Sequence, residues 1–165
     1  MNRAASILSS AKDEFADADY YMPVPSSAPF CGKFAALIAS TLEKPILEPT
    51  FIRKKTIGEV LAENKENPPK VRPALKVAYT SQLSALEIAD PHIEWQAKEV
   101  DLSIRHLFHP FIVHGEVPTL RDKKIVLVDD LFATGSSILS IREIVTNQLG
   151  ASVKAICFLS GAQKP

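Results

Sequence analysis

The stretch Ile125 to Ser137, reading IVLVDDLFATGSS, constrains the fold more than any other part of the chain. Ile125-Val126-Leu127-Val128 is a continuous apolar run, as a strand buried on both faces of a parallel sheet requires. Asp129 and Asp130 follow at the C-terminal end of that strand. A short loop then leads through Thr134-Gly135-Ser136-Ser137 into a helix. Ile138, Ile141, Val145 and Leu149 fall on one helical face with Ile144 beside them, which predicts a helix over Ser137 to Leu149. Gly150 stands where a C-terminal glycine cap belongs. Val153 to Leu159 (VKAICFL) is a further buried strand. Strand, helix and strand at this spacing form a βαβ unit with a right-handed crossover. The class expected is α/β, a mainly parallel sheet flanked by helices.

Upstream, Ala4 to Phe15 reads as a short amphipathic helix and Asp19 to Val24 as a strand ending at Pro25. Pro29 to Leu42 reads as a helix with Phe34, Leu37, Ile38, Thr41 and Leu42 on one face; Pro45 stops it. Ile46 to Phe51 is expected as a second short strand. Thr56-Ile57-Gly58-Glu59 has capping-box spacing, so a helix starts there and ends by Asn67-Pro68-Pro69. Ala74 to Tyr79 (ALKVAY) alternates and is expected as a strand. Ser81 to Gly115 mixes a helical stretch, a turn at Pro91 and four histidines.

The chain has 165 residues, which fits a single domain, 1–165, able to bury an ordinary core. Lys+Arg and Asp+Glu are 19 each. A balance of zero argues against nucleic acid as a direct ligand, since such domains carry a basic excess. No apolar run approaches the roughly 20 residues that span a bilayer. Met1 to Asp19 has no signal-peptide apolar stretch and contains Asp13, Glu14, Asp17 and Asp19. Two cysteines, Cys31 and Cys157, are too few for a disulfide framework. A cytoplasmic location is the default expectation.

The chemistry implied by Ile125 to Ser137 follows from its parts. Ligands of open α/β sheets bind beyond the carboxyl ends of the strands. A helix N-terminus offers unpaired N–H groups and partial positive charge, which suit a phosphate. Gly135 lets the backbone approach an anion, and Thr134, Ser136 and Ser137 add hydroxyl donors. The two carboxylates accept hydrogen bonds, and a ribose supplies paired hydroxyls. Together they describe a ribose 5-phosphate site. A Gly-Ser turn that merely caps a helix is the competing reading. Against it, adjacent acids at a strand end repel each other and are costly to bury, so a structural role alone rarely keeps both.

This segment resembles the phosphoribosyl-pyrophosphate signature of type I phosphoribosyltransferases, and DDLFATG is closest to the adenine-enzyme wording. Elsewhere the chain is similar to the ComF group of phosphoribosyltransferase-like proteins. Met22-Pro23-Val24-Pro25 with Gly32-Lys33-Phe34 resembles that group's first strand and following loop. Phe51 to Lys55 and Ile104 to Phe108 resemble its central motifs. The resemblance implies that Asp129 and Asp130 hold the ribose 2- and 3-hydroxyls, and that Ala133, Thr134, Gly135, Ser136 and Ser137 wrap the 5-phosphate. Pro25, Ser26 and Ser27 would form the pyrophosphate loop. Magnesium would bridge pyrophosphate and ribose hydroxyls, held through the ligand rather than by a protein cage. It also implies a variable hood or flexible-loop region at about 52–115, and a homodimer. Ala133 stands where some purine enzymes place an acid, Ser137 replaces the commoner Thr, and that group's zinc-binding cysteines are absent.

The reaction implied is transfer of ribose 5-phosphate from phosphoribosyl pyrophosphate to a nucleobase or related amine, with release of pyrophosphate. Its transition state is oxocarbenium-like, so a basic side chain near the leaving group is expected. Arg53, Lys54 and Lys55 are the candidates, with Arg105 next; a solvated basic turn is the rival reading of 53–55. Arg121, Lys123 and Lys124 lie at the opposite end of the strand and read as solvated. His106, His109 and His114 lack zinc-ligand spacing. Cys31, near a helix start, reads as packed rather than nucleophilic, Cys157 as core, and Trp95 as packed. A receiver domain would place its acids early, with several βα units after them; here only the last 35 residues follow Asp130. No dinucleotide or P-loop glycine motif is present. Two functions remain: a phosphoribosyltransferase, and a non-catalytic module that senses phosphoribosyl pyrophosphate or a nucleotide.

Overall fold

The computed structural model describes residues 12, 14–26, 29–132 and 135–160. Strand β1 (Tyr20–Pro23) leads to helix α1 (Phe30–Thr41). Strand β2 (Ile52–Lys54) is followed by helices α2 (Ile57–Glu66) and α3 (Lys76–Ile88), then by strand β3 (Phe111–Val113). Strand β4 (Lys124–Phe132), helix α4 (Ser136–Glu143) and strand β5 (Ser152–Ser160) complete the order. The main sheet runs β1-β4-β5, all parallel, and β2 and β3 form a separate antiparallel pair. The α/β class expected from the sequence is the one observed.

Parallel strands covered on both faces explain the unbroken apolar run in β4. Ile125 to Val128 are each at most 2% exposed. Because side chains alternate along a strand, Ile125 and Leu127 enter one core with Ile138, Ile141 and Val145 of the α4 segment. Val126 and Val128 enter the opposite core with Phe34, Ala35 and Ile38 of α1. The two helices therefore sit on opposite faces of the sheet.

Three expectations need correction. Ala74 to Tyr79 is not a strand: Pro73–Leu75 forms a 3₁₀ turn and Lys76 opens α3. Its six-residue alternation also fits a helix that buries one stripe, and Tyr79, Leu83 and Leu86 are that stripe. The short strand placed at Ile46 to Phe51 lies instead at Ile52–Lys54; only Ile46 pairs, as an isolated parallel bridge to Tyr21. The helix expected to run on to Leu149 is α-helical only to Glu143 and widens into a π-helical turn over Ile144–Gln148. Gly150 ends it at φ +71°, as expected of a glycine cap. The predicted helix Ala4 to Phe15 lies largely outside the described residues.

Between β2 and β3 the chain builds a helical insert with its own core: Val60, Tyr79, Leu86, Trp95, Ile104 and Phe108. Its entry and exit are tied together where the Lys55 amide donates to the Pro110 carbonyl at 2.9 Å. The capping box at the start of α2 is present: the Glu59 amide donates to the Thr56 hydroxyl, and the Thr56 amide to the Glu59 carboxylate. Gly58 follows because the chain crosses Pro91 there; a Cβ at Gly58 would lie 2.9 Å from that of Pro91. A buried polar link joins the two helices, where the Tyr79 hydroxyl donates to Asn64 Oδ1 at 2.9 Å. No helix among the described residues is long and apolar enough to cross a membrane.

Candidate functional site

β1 and β4 are neighbours, in register from Tyr20 opposite Ile125 to Pro23 opposite Val128. The helices that follow them depart to opposite faces, α1 to one and α4 to the other. A crevice must open where two such connections diverge, and open α/β sheets bind ligands in that crevice. The Val24 amide donates to the Val128 carbonyl at 2.9 Å, which is the last bond before the two chains part. Asp129 and Asp130 come next on one side, and Pro25 and exposed Ser26 on the other. The acids are not the last residues of β4. Pairing with β5 continues past them to Phe132, while the β1 side is released at Val128. The carboxylates therefore stand at the crevice on a strand still anchored along one edge.

Asp129 is 8% exposed. Burial pushes its carboxyl up to about 6, and the charge of Asp130 adds to this; the Asp130 amide and the Cys31 thiol pull the other way. The Asp130 amide donates to Asp129 Oδ1 at 2.9 Å, and Cys31 Sγ donates to the same oxygen at 3.6 Å. Cys31 lies in the first turn of α1, so this contact joins the segment after β1 to β4. Burial and the charges of Asp130 and Asp129 push the Cys31 thiol up to about 12, which leaves it protonated and non-nucleophilic. Cys157 stands opposite Asp129 on β5 and is pushed up to about 11, chiefly by burial.

Gly135 precedes α4 at φ +71°, a conformation that costs glycine nothing. Ser136 is buried and Ser137 half-buried in the first turn of α4. The phosphate-loop residues Ala133 and Thr134, and Ser27 of the expected pyrophosphate loop, lie outside the described residues. The described part of the loop thus presents a helix N-terminus to the same crevice that the two acids border.

The basic candidates are engaged within the insert. Arg53 makes a paired contact to Glu59, at 2.7 and 2.6 Å, which with the Thr56 amide holds the Glu59 carboxyl down to about 2. Lys54 pairs with Glu94 at 3.0 Å, and buried Lys55 with Glu63. Arg105 donates to the carbonyls of Val100 and Lys98. Trp95 is core. His109 pairs with Glu143 at 3.3 Å. The sequence reads Cys31 as packed rather than nucleophilic, and it is buried. Its role as a hydrogen-bond donor to Asp129, across 98 positions, has no local signal that could have revealed it.

As to a metal, Cys31, Asp129 and Asp130 bring a thiol and two carboxylates within 4.8 Å of one another, the one such grouping among the described residues. Carboxylate oxygens suit magnesium and a protonated thiol does not, so the set is poor as a complete magnesium cage.

No family model and no curated protein matches the sequence. Solved structures do. A purine phosphoribosyltransferase from Pyrococcus horikoshii Ot3 superposes with a TM-score of 0.50 at 14% identity, covering 96% of this chain and 72% of that one. An adenine phosphoribosyltransferase from Leishmania tarentolae gives 0.46 at 16% identity, covering 96% and 70%. At 14% identity the likeness to the first is one of fold alone, an α/β fold with a parallel sheet flanked by helices.

Proposed function

We propose that this chain binds phosphoribosyl pyrophosphate at the β1–β4 crevice and is a phosphoribosyltransferase that passes ribose 5-phosphate to a nucleobase or related amine. The observation that supports this best is the convergence of Asp129, Asp130 and the α4 N-terminus at the divergence of two parallel strands, in a fold shared with a purine phosphoribosyltransferase. In this reading Asp129 and Asp130 accept from the ribose 2- and 3-hydroxyls. Ala133 to Ser137 hold the 5-phosphate, and Pro25 to Ser27 face the pyrophosphate. Asp129 and Asp130 would stand beside a magnesium ion carried in with the ligand, which would supply neutralisation of negative charge. The residues of the chain act by positioning: two fixed carboxylates orient the sugar so that a nitrogen nucleophile meets the anomeric carbon as pyrophosphate leaves. The likeness of Met22 to Pro25 and Gly32 to Phe34 to the ComF group suggests that this is the branch of the fold to which the chain belongs. Incubation with phosphoribosyl pyrophosphate, magnesium and a panel of purine and pyrimidine bases, with pyrophosphate release as readout, tests the activity. Release that needs one particular base supports transfer; binding without release for any base defeats it.

A second reading, a non-catalytic sensor of phosphoribosyl pyrophosphate or a nucleotide, is favoured by one observation. Arg53, Lys54 and Lys55 are each paired with a glutamate of the insert. A chain whose basic candidates are already neutralised has less to offer a departing pyrophosphate than a ground-state ligand.

A further inference from the structure

Helix α3 carries two charged residues among its 13, Lys76 at its first position and Glu87 at its last but one. Its inner stripe, Tyr79, Leu83 and Leu86, closes the core of the insert. A helix that covers a core in this way ordinarily turns charged side chains to water on its opposite face. The outer face of α3 instead carries Val77, Ser81, Ser84 and Ile88, with Ala85 beside them, all exposed. Val77 is 83% exposed and Ile88 89%, the most exposed large apolar side chains among the described residues. Steps of four, three and four put these residues on one line, which is the spacing of a seam between two packed helices.

The charges of α3 stand at the wrong ends for the helix itself. A helix dipole favours acids in the first turn and bases in the last, and α3 has neither. Exposed Lys70 and Arg72 precede it and exposed Asp90 follows it, so the whole segment runs from basic to acidic. Lys76 forms no ion pair among the described residues, and Glu87 meets exposed Lys65 of α2 at 2.7 Å. Lys76 and Glu87 are eleven positions apart, close to three whole turns, so they flank the outer seam on the same side. The same interval separates Val77 from Ile88.

We propose that the outer face of α3 is the contact between two copies of this chain, packed antiparallel about a two-fold axis. Such an interface must be complementary to itself. Reversing α3 against a second α3 sets Val77 of each copy on Ile88 of the other, with Ser81 and Ser84 meeting at the centre. These small central side chains let the helix axes come within about 8 Å. The two-fold keeps the flank and exchanges the ends, so Lys76 of each copy reaches Glu87 of the other. The basic start of each segment then faces the acidic end of its mate, and the two helix dipoles oppose. A partner of unrelated sequence would not require the two ends of α3 to complement each other. Two helices of this length bury on the order of 1,000 Å² in total, the low end of specific interfaces, so the dimer is reversible. Self-association is thereby placed on the insert, outside the β1-β4-β5 sheet, and does not depend on a ligand in the β1–β4 crevice.

The test is sedimentation equilibrium of the full chain and three variants, without ligand and at physiological ionic strength. The wild type is expected to pass from monomer to dimer, and no further, with a dissociation constant on the order of tens of micromolar. Val77→Ser/Ile88→Ser, which alters exposed positions only, is expected to weaken dimerisation roughly hundredfold while the dilute protein melts as the wild type does. Lys76→Glu is expected to weaken it about tenfold. Lys76→Glu/Glu87→Lys is expected to bring most of that loss back, because each copy again offers opposite charges at opposite ends. Such recovery belongs to an antiparallel self-contact and not to general surface charge. A wild type that stays monomeric up to millimolar concentration overturns the proposal. So does a dimer that Val77→Ser/Ile88→Ser leaves unchanged, or a charge swap that dimerises no better than Lys76→Glu alone.

Discussion

Cys31 Sγ lies 3.6 Å from Asp129 Oδ1, joining the first turn of α1 to the acid pair of β4 across 98 positions of sequence. The thiol is 1% exposed and pushed up to about 12, so almost none of it is thiolate near neutral pH. Cys31 is therefore expected to resist iodoacetamide in the native protein at mildly alkaline pH and to react once the chain is denatured. Mass spectrometry of the labelled peptides checks this. Rapid native labelling of Cys31 would show that the thiol is neither buried nor held by Asp129.

Asp129 is expected to cost the ligand-free protein stability. Its carboxyl is raised to about 6 in the fold from an ordinary value of 3.8. A raised acid carries no penalty below its unfolded pKa. The penalty grows as pH rises between the two values and is complete above the folded one. Asp129→Asn should thus stabilise the protein at about pH 7.5 by roughly 2–3 kcal/mol, or roughly 5–10 °C in Tm. The gain should fade as pH falls from about 6 toward about 4. Thermal melts of both proteins across that window check the sign. A destabilised Asn variant at neutral pH would contradict the burial argument. Stability given up at a ligand site is the usual exchange for function.

Glu59 works in the opposite sense. It caps α2 and grips Arg53, and its carboxyl is held down to about 2. A depressed acid contributes stability above its unfolded pKa, and that contribution is lost as pH falls toward the folded value. Glu59→Gln should flatten the fall in Tm between pH 4.5 and 2 relative to the wild type. Thr56→Ala, which removes the reciprocal cap, should cost about 1 kcal/mol at any pH. Parallel acid melts of the two variants separate ion pair from cap.

Tyr79→Phe should loosen the insert and spare the sheet. Removing the hydroxyl leaves Asn64 Oδ1 without its donor in a core where Asn64 is 4% exposed. An unsatisfied buried acceptor costs roughly 1–3 kcal/mol. Hydrogen exchange should quicken in α2 and α3 while amides of β1, β4 and β5 keep their protection. Uniform quickening would mean that the insert and sheet unfold as one unit.

What the sequence showed and what it hid divide along physical lines. Ile125 to Val128 was legible because burial on both faces leaves an unbroken apolar run. The Thr56–Glu59 cap and Gly150 were legible because caps are local, and each depends on residues within one turn. Ala74 to Tyr79 misled because six alternating residues also satisfy a helix with one buried stripe, and that stripe closes only on Trp95 and Phe108, far along the chain. The acid pair and its glycine loop could be read as a site from their order alone. The divergence of α1 and α4 to opposite faces could not, because it depends on β1 lying beside β4. Nor could the pairing of Arg53, Lys54 and Lys55 with Glu59, Glu94 and Glu63, since a basic run looks the same whether it is free or neutralised.

The central claim is that Asp129 and Asp130 form the sugar-binding edge of a ribose-phosphate site, and calorimetric titration of phosphoribosyl pyrophosphate with magnesium tests it most directly. The wild type should bind at one site, and Asp129→Asn/Asp130→Asn should remain folded but lose that binding. A folded wild type that gives no binding heat, or a double variant that binds as well as the wild type, would contradict the account.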